Sequence, residues 1–291
     1  MSIERYKPIL EKEAGKLGVS PAVHPEDLIF QFILNHPNYQ SKPESAIEYY
    51  FQDGYSSTQN LSHILKSICQ FNGDQRIKLF EFASGYGCVT RHIKNVIPFA
   101  ETSACDIHPQ AMQFINENFK TATVLSSVQP EDLILDQKFD VVFALSFFSH
   151  MPKTSFSRWQ KKLASLLNPG GYLIFTTQGI EGSKFFPDCQ FDAYGFYFKR
   201  SSEQFDLDAA QYGTACTLPT YVIGQIFHEP NWELIFFQQG YWWGIQDVYV
   251  VKCLNKSVNT IREKASYGLR RTVFGRRLLN GRRFIWRKLK L

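Results

Sequence analysis

Nowhere does the 291-residue sequence hold an apolar run of about 18 residues, the length at which a membrane-spanning helix becomes a candidate. The opening MSIERYKPILEKEAGKLG is charged and helix-patterned rather than a basic stub followed by an apolar stretch, so no signal peptide is read there. Paired cysteines are missing too. Cys69, Cys88, Cys105, Cys189, Cys216 and Cys253 are scattered without any CxxC, and three fall inside apparent core elements. They read as reduced packing residues, with no zinc site and no disulfide framework. Internal repeats and low-complexity runs are absent, which excludes a solenoid. What remains is a cytoplasmic globular protein, and its 44% hydrophobic content suffices for one substantial core, or a core with a modest second lobe.

The net charge of +5 is unevenly distributed. Residues 256–291 carry twelve Lys or Arg against the single acid Glu263, a balance of +11 that leaves −6 for the rest. A mildly acidic body argues against a nucleic-acid groove across the main domain. The tail interleaves Arg270-Arg271, Arg276-Arg277 and Arg282-Arg283 with Phe274, Phe284 and Trp286, a pattern suited to an anionic membrane surface. RNA or an acidic glycan is the competing partner, and Gly268, Gly275 and Gly281 break any continuous helix, so a solvated tail stays open beside both. Docking would bring the protein to the inner membrane surface.

Apolar spacings of three and four in PESAIEYYFQDG and SSTQNLSHILKSICQF predict helices with breaks between them, making residues 1–75 a helical lead-in. From Ile77 short apolar runs alternate with amphipathic stretches: IKLFEFA, CVTRHIKNVI, TSACDI, PQAMQFINENF, TATVLSS, FDVVFALSFF, KTSFSRWQKKLASLL and GGYLIFTT. Such alternation implies βαβ units and a parallel sheet covered by helices on both faces. The Asn168-Pro169-Gly170-Gly171 stretch predicts a turn. Residues 178–218, rich in aromatics, Gly and charges, interrupt the series as an inserted lid or substrate-facing segment. YVIGQIF then reads as a helix, and WELIFFQ and DVYVVKC as two strands joined through GYWWGIQ. The division expected is a lead-in or cap over 1–75, a catalytic domain over 76–255, and a basic tail over 256–291.

The stretch Leu79-Phe80-Glu81-Phe82-Ala83-Ser84-Gly85-Tyr86-Gly87 is a strand running into a small-residue loop that opens a helix near Cys88. Gly85 and Gly87 let the backbone approach a ligand where a Cβ would obstruct. Glu81 can meet a cationic group. Nineteen residues beyond Gly87, Asp106 ends the next strand, where a carboxylate can accept both hydroxyls of a ribose. A nucleoside-containing ligand is implied.

With these residues, the span from Ile77 to about Thr177 resembles the S-adenosylmethionine (SAM)-binding core of class I methyltransferases. Glu81, Gly85 and Gly87 match the first motif of that family, with Ala83 in place of its first glycine and Ser84 and Tyr86 completing the loop. The resemblance implies an α/β, Rossmann-like, seven-stranded, mostly parallel sheet with a terminal antiparallel hairpin. It implies SAM as cofactor, the ribose on Asp106, and Ile107 flanking the adenine. Where the family usually carries an acid toward the adenine amine, this chain has Ser126-Ser127-Val128, so Ser127 and Val128 are expected at that place. Leu145 ends the strand lying over the cofactor toward the acceptor, and Pro169-Gly170-Gly171 matches the turn before the fifth strand. A dehydrogenase fits less well, because the spacing is Ala-x-Gly-x-Gly rather than G-x-G-x-x-G and the chain closes with a strand pair.

Methyl transfer needs little covalent machinery, since alignment of acceptor and donor supplies much of the rate, on the order of 7–11 kcal/mol in favourable cases. His150, just after the fourth strand, is the candidate general base for a hydroxyl acceptor, against a purely structural role at the start of the following helix. His108 is expected as a residue at the start of its helix, beside the adenine pocket. The Asp/Asn-Pro-Pro-aromatic signature of base amine methylation and the Pro-Cys nucleophile of carbon-5 methylation are both missing. That leaves a small-molecule or glycan acceptor, methylated at oxygen, with a catalytically silent SAM-fold binding module as the alternative. Phe191, Tyr194, Phe196, Tyr197 and Phe198, with Tyr241, Trp242, Trp243, Gln246 and Asp247, are candidate sugar-facing residues against a core-packing role, and Tyr49, Tyr50 and Ser56 candidate caps of the cofactor pocket.

Overall fold

The structure, a computed structural model, describes residues 3–39, 42–202 and 204–254. The basic tail over 256–291, with its expected membrane or polyanion contact, lies outside the described residues. Among the described residues no helix is long and apolar enough to cross a membrane.

Nine strands and eight α-helices follow in chain order among the described residues. After the helices α1 (Lys7–Leu17), α2 (Leu28–Asn35) and α3 (Pro43–Ser67), the alternating part begins with β1 (Ile77–Phe82), α4 (Thr90–Val96), β2 (Ala100–Asp106), α5 (Pro109–Phe119) and β3 (Ala122–Leu125). It continues with β4 (Phe139–Ala144), α6 (Lys153–Ser165) and β5 (Leu167–Gln178). The insert holds α7 (Ile180–Ser183), β6 (Phe196–Lys199) and β7 (Thr214–Thr217), and the chain closes with α8 (Pro219–Phe227), β8 (Trp232–Trp242) and β9 (Gln246–Cys253). The main sheet runs β3-β2-β1-β4-β5-β9-β8, parallel from β3 to β5, with β9 antiparallel to both its neighbours. The expected seven-stranded, mostly parallel architecture with a closing hairpin is thus what the chain adopts. Strands β6 and β7 pair separately.

Continuous apolar runs form the inner strands because both sheet faces are covered. Along β1, β4 and β5, Phe80, Phe82, Val142, Ala144, Leu173 and Phe175 enter one core with α6 and α8. Their neighbours Leu79, Val141, Phe143 and Ile174 enter another with α3 and α4. The order of strands reverses at β1, since β2 and β4 flank it on opposite sides, and the carboxyl ends of a parallel sheet at such a point leave a crevice.

Four local expectations are corrected. Residues 43–67 form one uninterrupted helix, and Gly54 does not break it: a Cβ there would stand 2.2 Å from the Cys88 carbonyl oxygen, so glycine serves close packing of α3 on the loop after β1. Helix α4 begins at Thr90 rather than near Cys88, because the loop before it is wound through left-handed residues. The Asn168–Gly171 stretch is a bulge within β5, where Leu167 pairs with Phe139 and Tyr172 already with Val141. The closing hairpin turns over residues 243–245 alone, with Tyr241, Trp242 and Gln246 still in strands.

Two glycine replacements should therefore move stability in opposite directions. Gly54→Ala must push α3 off the Cys88 backbone and is expected to cost about 1–3 kcal/mol. Gly15→Ala, inside α1 with nothing within 4 Å of the new methyl, is expected to add about 0.5–1 kcal/mol. Urea unfolding of both variants checks this, and shifts of the same sign would contradict the packing described.

Candidate active site

The loop after β1 turns sharply at the crevice. Ala83, Gly85 and Gly87 all hold left-handed backbone angles, with φ of 59°, 52° and 80°. Alanine carries a penalty of about 1–2 kcal/mol there, sustained by the buried strand that leads into it. The loop is sewn to β2: the Ser84 amide donates to the Cys105 carbonyl at 3.0 Å, and the Gly85 amide donates to Asp106 Oδ2 at 2.8 Å. Nothing lies within 4 Å of where a side chain on Gly85 would stand, so its backbone faces open space. A Cβ on Gly87 would instead meet Phe119 at 2.6 Å, which makes Gly87 a packing residue against α5.

Above this loop lies a cavity of about 650 Å³. Of the residues singled out in the sequence, Glu81, Ala83, Ser84, Gly85, Tyr86, Asp106, Ile107, Ser127, Val128, Leu145 and His150 line it, while Gly87 does not. The crevice between strand ends brings them together from four separate stretches of chain.

The charged groups here are unusual. Glu81 is almost wholly buried, and burial pushes its carboxyl up to about 8, with the nearby Asp106 charge adding and a 2.7 Å bond from the Thr90 hydroxyl partly offsetting. Asp106, also buried, accepts from the His108 amide at 3.2 Å and from His108 Nδ1 at 2.7 Å. The other ring nitrogen of His108 reaches Asp206 of the insert at 2.8 Å. Held by Asp106 first and Asp206 second, the His108 imidazolium is pushed up to about 9. His108 is therefore more than a residue at a helix start: it ties the insert to the end of β2.

The chain leaving β4 is held by a closed ring of polar groups, with Thr176 and Gln246 buried and Ser146 at the cavity. Ser146, at φ 60°, donates its amide to Thr176 Oγ1 at 2.8 Å; Thr176 donates to Gln246 Oε1 at 2.6 Å; Gln246 Nε2 donates to Ser146 Oγ at 2.8 Å. Four residues on, His150 Nδ1 donates to the Gly213 carbonyl at 2.8 Å, the Gly213 amide returns a bond to the His150 carbonyl at 2.9 Å, and the imidazole stacks on Tyr212 at 4.4 Å. In the neutral ring this puts the proton on Nδ1 and the lone pair on Nε2.

The N-terminal helices supply a wall through residues that the sequence did not single out. Asp27 caps α2 by accepting from the Phe30 amide at 3.0 Å, and the Tyr50 hydroxyl donates to it at 2.7 Å. Tyr86 stacks on His24 at 4.7 Å and donates to Glu26 at 3.3 Å. The Trp243 indole donates to Asp53 at 2.5 Å. Behind them Arg91 donates to the Ser20 and Ala22 carbonyls and to the Tyr50 hydroxyl, fastening residues 20–27 beside the loop. An Asp before an apolar run is a legible helix cap, yet nothing local announces that it faces a cavity.

Several aromatic expectations change. Of the sugar-facing candidates only Trp243 lines the cavity. Phe196 packs on Phe156 and Tyr221, Trp242 on Phe143, and Gln246 and Asp247 are buried on β9. The insert reaches the cavity through residues 204–208, Gln211 and Tyr212 instead. Tyr50 is fully buried and acts by holding Asp27, while Tyr49 and Ser56 do not line the cavity; Asp53 does.

Residues 80–173 match the family described as a methyltransferase domain. No curated protein matches the sequence. Among solved structures, the plantazolicin methyltransferase BpumL, in complex with a pentazolic desmethylPZN analogue and SAH, aligns over 87% of this chain and 99% of its own at 12% identity, with a TM-score of 0.51. A SAM-dependent methyltransferase from Clostridium acetobutylicum ATCC 824 covers 75% of this chain and 97% of its own at 13% identity and a TM-score of 0.49. CalS10, an amino pentose methyltransferase from Micromonospora echinaspora, covers 69% and 91% at 13% identity and 0.48. At such identities the likeness to BpumL speaks for the fold alone, and the family match speaks for the segment that builds β1 to β5. A buried acid, an open glycine shelf and a second acid on the adjoining strand suit a cationic nucleoside, and with that match they mark residues 80–173 as a methyltransferase domain of the kind that uses SAM.

Proposed function

We propose that this enzyme methylates a hydroxyl of a small-molecule or saccharide acceptor, with His150 as the general base. SAM supplies a methyl group already activated by its positive sulfur. The chain's own task is to hold that donor, align the acceptor and take up a proton. We assign the ribose to Asp106, whose carboxylate has lone pairs to spare beyond its bonds to Gly85 and His108. Glu81 faces the cationic part of the donor, Gly85 lets the backbone approach it, and Ile107, Ser127, Val128 and Leu145 enclose the adenine end. We further propose a division into an N-terminal cap over 1–75, a transferase unit over 76–255, and a basic tail over 256–291 that recruits the enzyme to an anionic membrane or polyanion, the last supported by its charge alone.

The observation that carries the hydroxyl assignment is the orientation of His150. Its Nδ1 is committed to the Gly213 carbonyl and its ring is stacked on Tyr212, which fixes the imidazole in the wall of the cavity. An alcohol needs such a partner, because its proton must leave as the new C–O bond forms.

His150→Ala is expected to lower kcat on a hydroxylic acceptor by about 10²–10⁴-fold with SAM affinity kept. Unchanged kcat would remove the base assignment. Glu81 offers an independent check of the donor site. At pH 7 a carboxyl held at about 8 is largely protonated, and a bound cation draws it back to the carboxylate. Calorimetry of SAM binding in buffers of different ionisation enthalpy should register proton release for the wild type and much less for Glu81→Gln; equal release from both would contradict the pairing. For the insert, His108 lies above its ordinary value, so its pairing stabilises fully below about 6.5 and is lost as pH rises through about 9. The Tm gap between wild type and Asp206→Asn should accordingly be widest near pH 6 and close by pH 10, and a gap independent of pH would count against the tie.

A further inference from the structure

Building on the methyl-transfer function assigned to this cavity, we propose that the acceptor enters it as a cation: an ammonium- or guanidinium-bearing small molecule whose positive group sits against Asp27 and Asp53 beside the Trp243 indole. Among the described residues, no Lys or Arg lines the cavity. Its acids outnumber what the donor requires. Glu81 and Asp106 serve the donor, Asp206 is held by His108, and Asp208 is exposed at the rim. Glu26, Asp27 and Asp53 remain, all on the N-terminal wall.

These three share one flank. Tyr50 and Asp53 stand one turn apart on the same side of α3, and the Tyr50 hydroxyl holds Asp27. Glu26 takes a bond from Tyr86 of the donor loop, so the flank adjoins the place where the methyl group is presented. The hydrogen bonds to the three come from neutral donors: the Phe30 and Ile29 amides and Tyr50 for Asp27, Trp243 and Tyr49 for Asp53, Tyr86 for Glu26. Arg91, behind the wall, donates to backbone carbonyls and a hydroxyl rather than to any of the three carboxylates. Burial holds Asp53, and Asp27 despite the opposing charge of Arg91 behind it, above the usual carboxylate range, the condition that an incoming cation relieves and an anion worsens. The half-exposed Trp243 adds an aromatic face, the other surface on which organic cations rest.

An acceptor bearing phosphate or carboxylate at this wall is excluded by the same charges. A basic amino sugar or an amine-bearing alcohol satisfies both the wall and His150, with the ammonium at Asp53 and the hydroxyl at the base.

The test is SAH production by the full chain with SAM and a set of small molecules balanced among ammonium-bearing, neutral hydroxylic and carboxylate-bearing members. Turnover is expected from cationic members, at least tenfold above their neutral isosteres in kcat/KM. Asp53→Asn, which keeps an oxygen for Trp243, and Asp27→Asn, which keeps one for the Tyr50 hydroxyl, should each remove most of that preference while SAM affinity changes less than twofold. Best acceptors that are neutral or anionic, or a set in which no cation is consumed, would overturn the proposal, as would a preference that survives both substitutions. The position of the new methyl group, read by NMR, separates the two assignments. Transfer to nitrogen of a preferred cation sustains the charge inference and ends the hydroxyl assignment, whereas O-methylation of a preferred neutral acceptor does the reverse.

Discussion

The bond from the Gly85 amide to the Asp106 carboxylate, 2.8 Å long, is the constraint from which the site is built. It joins the end of β1 to the end of β2 at the point where strand order reverses, and it does so with groups that also face the cavity. The left-handed turn through Ala83, Gly85 and Gly87 is the backbone path that lets the amide point at the carboxylate. Because Asp106 is also bonded to His108, and His108 to Asp206, one carboxylate positions the donor loop, the start of α5 and the insert together. Donor site and insert are thereby parts of one hydrogen-bonded assembly.

The second determinant is the N-terminal layer. The crevice above the strand ends is walled by α2, by the residues just before it, and by Asp53 of α3. The contact between Gly54 and the Cys88 carbonyl permits that approach, and Arg91 secures it by bonding to backbone carbonyls of residues 20 and 22. What the layer brings is negative charge in a water-poor setting, where carboxylates act over short range with more force than at a surface. The same layer thus closes the cavity and selects the sign of what enters.

The sequence disclosed the framework where chemistry and local pattern coincide. The apolar runs of β1, β2 and β4, the small-residue loop, and Asp106 at a strand end are all local signals, and they led to the sheet, to the donor and to eleven residues that do line the cavity. Gly87 was misread because a glycine required for packing against Phe119 looks the same in sequence as one required by a ligand. Gly54 was misread for the same reason, as a helix break where it is a contact. The ring of Ser146, Thr176 and Gln246 joins residues 100 positions apart, so no window of sequence contains it. Asp27, Asp53 and Trp243 likewise meet only through the packing of α2 and α3 on the hairpin turn. The aromatic residues of the insert invited a sugar-binding assignment, yet Phe196 and Phe198 on β6 serve to close a core, as aromatic clusters usually do.

The most direct test of this account is a crystal structure of the protein grown with saturating SAH. The account predicts the adenosyl group in the cavity, its ribose hydroxyls on the Asp106 carboxylate and its amino-acid end beside Gly85 and Glu81. Crystals in which that cavity stays empty at saturation, or in which SAH is bound away from the ends of β1 and β2, would contradict it.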